Sequence, residues 1–253
     1  MNYKLFLFLL FAAIHNTAFS QINDLGKEDI HLIQRLIQEF KSKNKVKIAD
    51  CISYPLNRQY PLKNINTKND FIGRFDEVFD NDFVNKIANS KISDWSEVGW
   101  RGIMFGNGEI WIDVTGKIIA VNYQSDKEKQ LLAKAVQNDK NDLPKSLQAF
   151  KKPVYLIVTK HFRIRIDELN NETFRYAAWK IKNNKIEPDL VVFNGNVEYM
   201  GSGGNHEFFF KNNEYTYAIS INILGTKDDP DALLEVLKDG KVIFSEGGSI
   251  IYN

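Results

Sequence analysis

The sequence predicts an α+β protein in two parts, with helices packed on a small antiparallel sheet followed by an all-β antiparallel sandwich or barrel. Three observations carry this reading. Apolar residues recur at three- and four-residue steps only within residues 21–140. The stretch from Gly99 to Asn122, GWRGIMFGNGEIWIDVTGKIIAVN, breaks into short apolar runs at Asn107-Gly108 and Thr115-Gly116. Asn-Gly between apolar runs is a strong hairpin signal, because both residues tolerate positive φ. Over 153–253, runs rich in β-branched and aromatic residues follow one another, broken by Asn, Gly and Pro.

Residues 1–20 read as a signal peptide. Lys4 supplies a positive start, Leu5 to Ile14 an apolar core, and Ala18-Phe19-Ser20 small residues at the two cleavage-determining positions. A core of about ten apolar residues falls short of the roughly 20 that span a bilayer. The expected product begins at Gln21 and is exported, periplasmic or secreted, with no transmembrane helix. Loss of Lys4 brings the 33 Lys and Arg down to match the 32 Asp and Glu. A balanced chain has no global attraction for nucleic acid, and none is expected as a partner. Cys51 is the sole cysteine, so no internal disulfide forms. It reads as a small packing residue rather than a nucleophile.

In the first half, Asp24 can cap a helix whose apolar face is Ile30, Ile33, Leu36, Ile37 and Phe40. Val46, Ile48, Ala49 and Ile52 suggest a second helix ending near Tyr54-Pro55. Asn69 or Asp70 can start a third, with Phe71, Phe75, Val78 and Phe79 as its stripe and Phe83, Val84 and Ile87 continuing it. A three-stranded meander is expected at 102–106, 109–114 and 117–122, with Ile110, Ile112 and Val114 on one face and Trp111 and Asp113 on the other. Ser125 to Val136 reads as a helix and Gln137 to Pro144 as a loop, which places a boundary near 138–152. Nine strand-like runs follow, with Asn194-Gly195 among the turn signals.

Candidate chemistry is sparse. His31, His161 and His206 have no zinc-motif spacing, so no metal and no cofactor is expected. In Gly201-Ser202-Gly203-Gly204-Asn205-His206, the glycines would let a ligand approach the backbone. His206 would be a base and Ser202 a nucleophile there, against a plain wide turn. Glu109 and Asp113 share a strand face but stand about 13 Å apart at strand rise, too far for a glycosidase pair. Asp94 and Glu97 read as turn residues. Trp95, Trp100 and Trp111 are candidates for an exposed aromatic patch, since tryptophan is common at recognition surfaces. Arg163, Arg165 and Arg175 lie near Tyr176 and Trp179 on adjacent predicted strands, either a solvated sheet face laced with charge or a set that can bind carboxylates, sugars or anionic polymers.

The runs DFIGRFDEVFDNDFVNKI and GWRGIMFGNGEIWIDVTGKIIAVN resemble a type of exported bacterial protein whose N-terminal half is an NTF2-like or cystatin-like α+β cone, with a weaker echo in FRYAAW and GSGGNHEFFFKNNEYTY. The likeness implies a fold and transfers no catalytic residue. The expected function is non-enzymatic binding of a protein or a cell-envelope glycan, for example as an inhibitor or immunity protein against a secreted hydrolase. An envelope hydrolase using His206 with a carboxylate is the alternative. A small apolar ligand inside the cone is a third expectation.

Overall fold

The computed structural model describes residues 25–182, 185–201, 204–223 and 228–251. The expected signal peptide, Asp24 and Ser202 lie outside the described residues. Helix α1 (Lys27–Lys41) starts at Gly26, whose N–H donates to the Asp29 carboxylate at 3.0 Å, and buries Ile33, Leu36, Ile37 and Phe40. Asn44 caps α2 (Lys45–Asp50) and Thr67 caps α3 (Lys68–Gly73). The short α4 (Phe75–Val78) is followed by α5 (Asn81–Ala88), capped by Asp80. Phe71, Phe75, Phe79 and Phe83 run between these helices in successive ring contacts, and Phe83 stacks on Tyr123 at 3.8 Å. The phenylalanine stripe is therefore core.

The helices cover one face of a four-stranded antiparallel sheet: β1 (Trp95–Glu97), β2 (Ile103–Phe105), β3 (Ile110–Ile112) and β4 (Ile118–Val121). The expected meander gains β1, which pairs Trp95 with Phe105. Strand β3 stops at Ile112, and Val114 is 87% exposed in the following turn. The Asp113 carboxylate organises that turn by accepting from the N–H groups of Thr115 and Lys117. At Asn107-Gly108 the turn is wider than a two-residue hairpin. Gly106 and Gly108 take the positive φ, and the N–H groups of Gly108 and Glu109 both donate to the Phe105 carbonyl.

Ser125 caps α6 (Asp126–Asn141), which continues well past Val136 into the expected loop. Its last turn is held by partners remote in sequence. Lys140 donates to the Phe150 carbonyl at 2.9 Å, and Asp139 pairs with Arg165.

The remainder is a closed eight-stranded barrel: β5 (Lys152–Thr159), β6 (Phe162–Glu168), β7 (Phe174–Lys180), β8 (Leu190–Tyr199), β9 (His206–Asn212), β10 (Tyr215–Ile221), β11 (Ala232–Lys238) and β12 (Lys241–Ile250). Each strand pairs antiparallel with the next, and Gly248–Ile250 of β12 returns to Ile157–Thr159 of β5. The sandwich option is thus corrected to a barrel, in which closure leaves no free sheet edge. The nine expected runs become eight strands because Asn194-Gly195 is a bulge inside β8 rather than a turn. Asn194 has φ 59°, and the register against β7 shifts between Phe174 and Tyr176. Phe208, Phe210, Tyr176 and Ile164 belong to the barrel core, which is separate from the core of the helical half.

A Cβ on Gly195 would lie 2.2 Å from the Phe210 ring. Gly195→Ala is expected to lower stability by about 1–3 kcal/mol through overpacking, read as a lower urea midpoint at unchanged slope. Gly73→Ala, with nothing within 4 Å of the added carbon, is the comparison that should not destabilise.

Candidate functional site

The candidate residues fall into three environments. Of the tryptophans, Trp95 does not belong to an exposed patch. Its position in β1 points it at the helices, where it is 3% exposed and donates from Nε1 to Ser90 Oγ at 3.1 Å. Residues paired across strands share a face, so Met104, Trp111 and Ala120 stand together on the opposite side of the sheet. Trp111 is half-buried there, with the Arg101 guanidinium carbon 5.5 Å from its ring. Trp100, next to Arg101 on the turn Gly99–Arg101, is 65% exposed.

The arginines divide in the same way. Arg165 and Arg175 do not form an open binding face; both are buried in an ionic network on the outside of β6 and β7. Asp167, with 0% exposure, accepts from Arg165 Nε at 2.7 Å and Arg175 Nη2 at 2.6 Å. Arg165 also makes a two-point pair with Asp139 of α6, at 2.9 and 2.5 Å. Phe150 covers both guanidinium groups, and the Leu147 carbonyl accepts from Arg175. Burial alone would lower the Arg165 guanidinium, but hydrogen bonds and charge from Asp139 and Asp167 outweigh it and hold the group above its ordinary value. Arg163 remains exposed. Its guanidinium carbon lies 4.6 Å from the Trp179 ring, beside a cleft of about 320 Å³ shared with Tyr60, Asp142 and Leu143. Burial, then the Asp139 charge, pushes the Tyr60 hydroxyl up.

His206 is nearly buried among the rings of Tyr155, Tyr199 and Phe208. Its Nδ1 lies 2.7 Å from the Gly204 carbonyl, so Nδ1 carries a proton. Nε2 lies within hydrogen-bond distance of the Tyr155 hydroxyl, at 3.1 Å. Both nitrogens are therefore engaged by groups that orient the ring, and neither partner is a carboxylate. His161 sits instead on the exposed β5–β6 turn, with Nδ1 2.6 Å from Glu246 Oε1 and its backbone N–H donating to Oε2. Burial would raise the Glu246 carboxyl, but hydrogen bonds from Thr159 and His161 more than reverse this and hold it below the usual range. Around this turn, Phe162, Ile181 and Phe244 with Lys160, Lys180 and Lys182 line an opening of about 400 Å³.

The other candidates are accounted for locally. Glu109 pairs with Lys86, and Asp94 accepts from the Lys91 N–H of its own turn. Burial foremost pushes the Cys51 thiol up, away from the reactive thiolate. Among the described residues, no group of three or more His, Cys, Asp and Glu is placed to hold a metal ion, and no helix is long and apolar enough to cross a membrane. Sequence reading missed Asp139, Asp167, Phe150 and Glu246. The i, i+2 spacing of Arg165 and Asp167 was the one local signal for the network.

The described chain is thus an α+β protein carrying a closed antiparallel meander barrel. No protein-family model matches it, and neither a curated protein nor a solved structure does.

Asp167→Ala leaves two buried guanidinium groups without their shared carboxylate. Breaking a buried pair from one side is expected to cost about 3–5 kcal/mol, measured by chemical denaturation. The acid limb of stability should involve Glu246 and Glu168. Hydrogen bonds, from Lys151 foremost, hold the Glu168 carboxyl below its usual 4.5. A depressed folded value stabilises above the unfolded value and is lost as pH falls through the folded one. Stability should therefore decline once pH drops below 4.5, the ordinary value of both groups. Glu246→Gln should flatten that decline in urea midpoints taken across the acid range.

Proposed function

We propose that this chain is an exported, non-enzymatic binding protein that recognises another protein, as an inhibitor or immunity protein against a secreted hydrolase would. Its contact face on this reading is Trp100, Arg101, Met104 and Trp111. The observation that carries it is the placement of Trp100 and Arg101 on one projecting turn, beside the sheet face that the helices leave uncovered. Trp and Arg dominate the energetics of protein interfaces, and stacking of Arg101 on Trp111 limits the side-chain ordering lost on binding. An NTF2-like or cystatin-like N-terminal half belongs to this reading, as does export through residues 1–20. For the hydrolase alternative, no observation adds weight, because the His206 ring is committed to Gly204 and Tyr155.

A photoreactive phenylalanine analogue at position 100, in protein made by its own host, is expected to yield one discrete cross-linked protein species. The same analogue at Ile186, exposed on the barrel half, should not. A further Trp111→Ala change should weaken the cross-link about tenfold or more, as loss of a hot-spot residue does. Equal cross-linking from both positions, or none from position 100, would overturn the assignment.

A further inference from the structure

We propose that the barrel opening at the β5–β6 turn is a binding site for a free amphiphilic anion, an apolar group carrying one carboxylate, sulfate or phosphate. The proposal is independent of the tryptophan face and concerns the opposite half of the chain.

Strand topology creates the opening. Only Gly248–Ile250 of β12 pair with β5. The earlier residues of β12 therefore run past the β5–β6 turn without a β5 partner, and Phe244 stands against Phe162 edge to face, with centroids 5.9 Å apart. These rings and Ile181 give the site an apolar lining, and its volume of about 400 Å³ lies within the range of ligand-sized sites. Deeper entry is blocked, since Tyr176, Phe208, Phe210 and Tyr217 pack against one another in the core. A ligand must seat its apolar part at the mouth and keep its head in water.

Charge then selects the head. Lys160, Lys180 and Lys182 surround the apolar lining, and none of them forms an ion pair among the described residues. Two carboxylates border the site and both are engaged: Glu246 by His161 through both oxygens, and Asp189 by the Lys180 backbone N–H and the Lys185 ammonium. The His161 pairing also fixes the turn that carries Lys160. Lysine stems also extend apolar surface toward the rim while their ammonium groups remain hydrated. A cationic rim on an apolar floor complements an amphiphilic anion and disfavours a cationic one.

The test is calorimetric titration of the purified protein with decyl sulfate below its micellar concentration, with decanol, decyltrimethylammonium and inorganic sulfate in parallel. Decyl sulfate should bind about tenfold or more tightly than any of the other three. Lys160→Gln/Lys180→Gln should remove most of that preference, since each exposed charge contact is worth on the order of a two- to fivefold effect. Ile181→Asp, at an exposed rim position, should weaken decyl sulfate without unfolding the barrel, and backbone amide shifts should centre on His161, Phe162 and Phe244. Trp100→Ala should leave decyl sulfate binding unchanged. Equal binding of all the amphiphiles, a preference that survives the double lysine change, or shifts centred on the tryptophan face would overturn the proposal. So would binding of inorganic sulfate as tightly as decyl sulfate. Capture by phosphatidylglycerol vesicles with no binding of monomeric decyl sulfate would place the anion in a membrane surface and also overturn it.

Discussion

The placement of α6 depends on buried charge pairs at both of its ends. Near its start, Glu128 forms a two-point pair with Arg58 at 2.6 and 2.5 Å, and Arg58 also donates to the Val121 carbonyl. Near its end, Asp139 forms a second two-point pair with Arg165. Between them the helix offers only the half-buried Leu131, Leu132, Ala135 and Val136. So small an apolar face holds a helix down without fixing its rotation or slide. Bidentate arginine–carboxylate pairs do fix them, because their geometry is planar and short-ranged. Removing such ions from water costs free energy that their attraction only partly returns. Their contribution here is orientation: one rigid helix joined at one end to the loop carrying Arg58 and at the other to the barrel wall.

The same logic explains why the outer face of β6 and β7 is buried in a barrel that could have left it wet. Asp167 sits between two guanidinium groups, and Phe150 and Leu147 lie over them. A carboxylate buried away from water is stable only while its cationic partners stay in place, since a charge left buried without them carries the full desolvation cost. The segment after α6 supplies that cover. It is held by Lys140 on the Phe150 carbonyl and by Arg175 on the Leu147 carbonyl. The ordered connection between the halves is thus a consequence of the charges beneath it.

Much of the architecture was legible because it is local. The three-to-four spacing of Ile33, Leu36, Ile37 and Phe40, and the phenylalanine stripe of α3 to α5, record a buried face directly. The strand runs of the second half record their own alternation. What escaped depends on partners distant in the chain. Trp95 looked like a surface residue until β1 paired with β2 and turned it inward. Asn194-Gly195 carries the composition of a turn, yet the glycine is required because the Phe210 ring occupies the place of a side chain. Arg165 and Arg175 were correctly placed on neighbouring strands. Their burial follows from Asp139, Leu147 and Phe150; Gln137 to Pro144 read as a loop because the charge that Asp139 pairs with lies elsewhere in sequence.

The two barrel histidines show how far composition stands from chemistry. His206, in the more suggestive glycine-rich sequence, has its nitrogens taken by a carbonyl and a phenol and is packed among rings. Its role is to hold the chain as it enters β9. His161 lies in an unremarkable turn, yet it is exposed and joined to Glu246 across the barrel seam. That pairing leaves the neighbouring lysines as uncompensated charge beside apolar rings. The barrel core is built from aromatic side chains, Tyr176, Phe208 and Phe210 among them. The rim at His161 is where such a barrel keeps both apolar surface and net charge within reach of solvent.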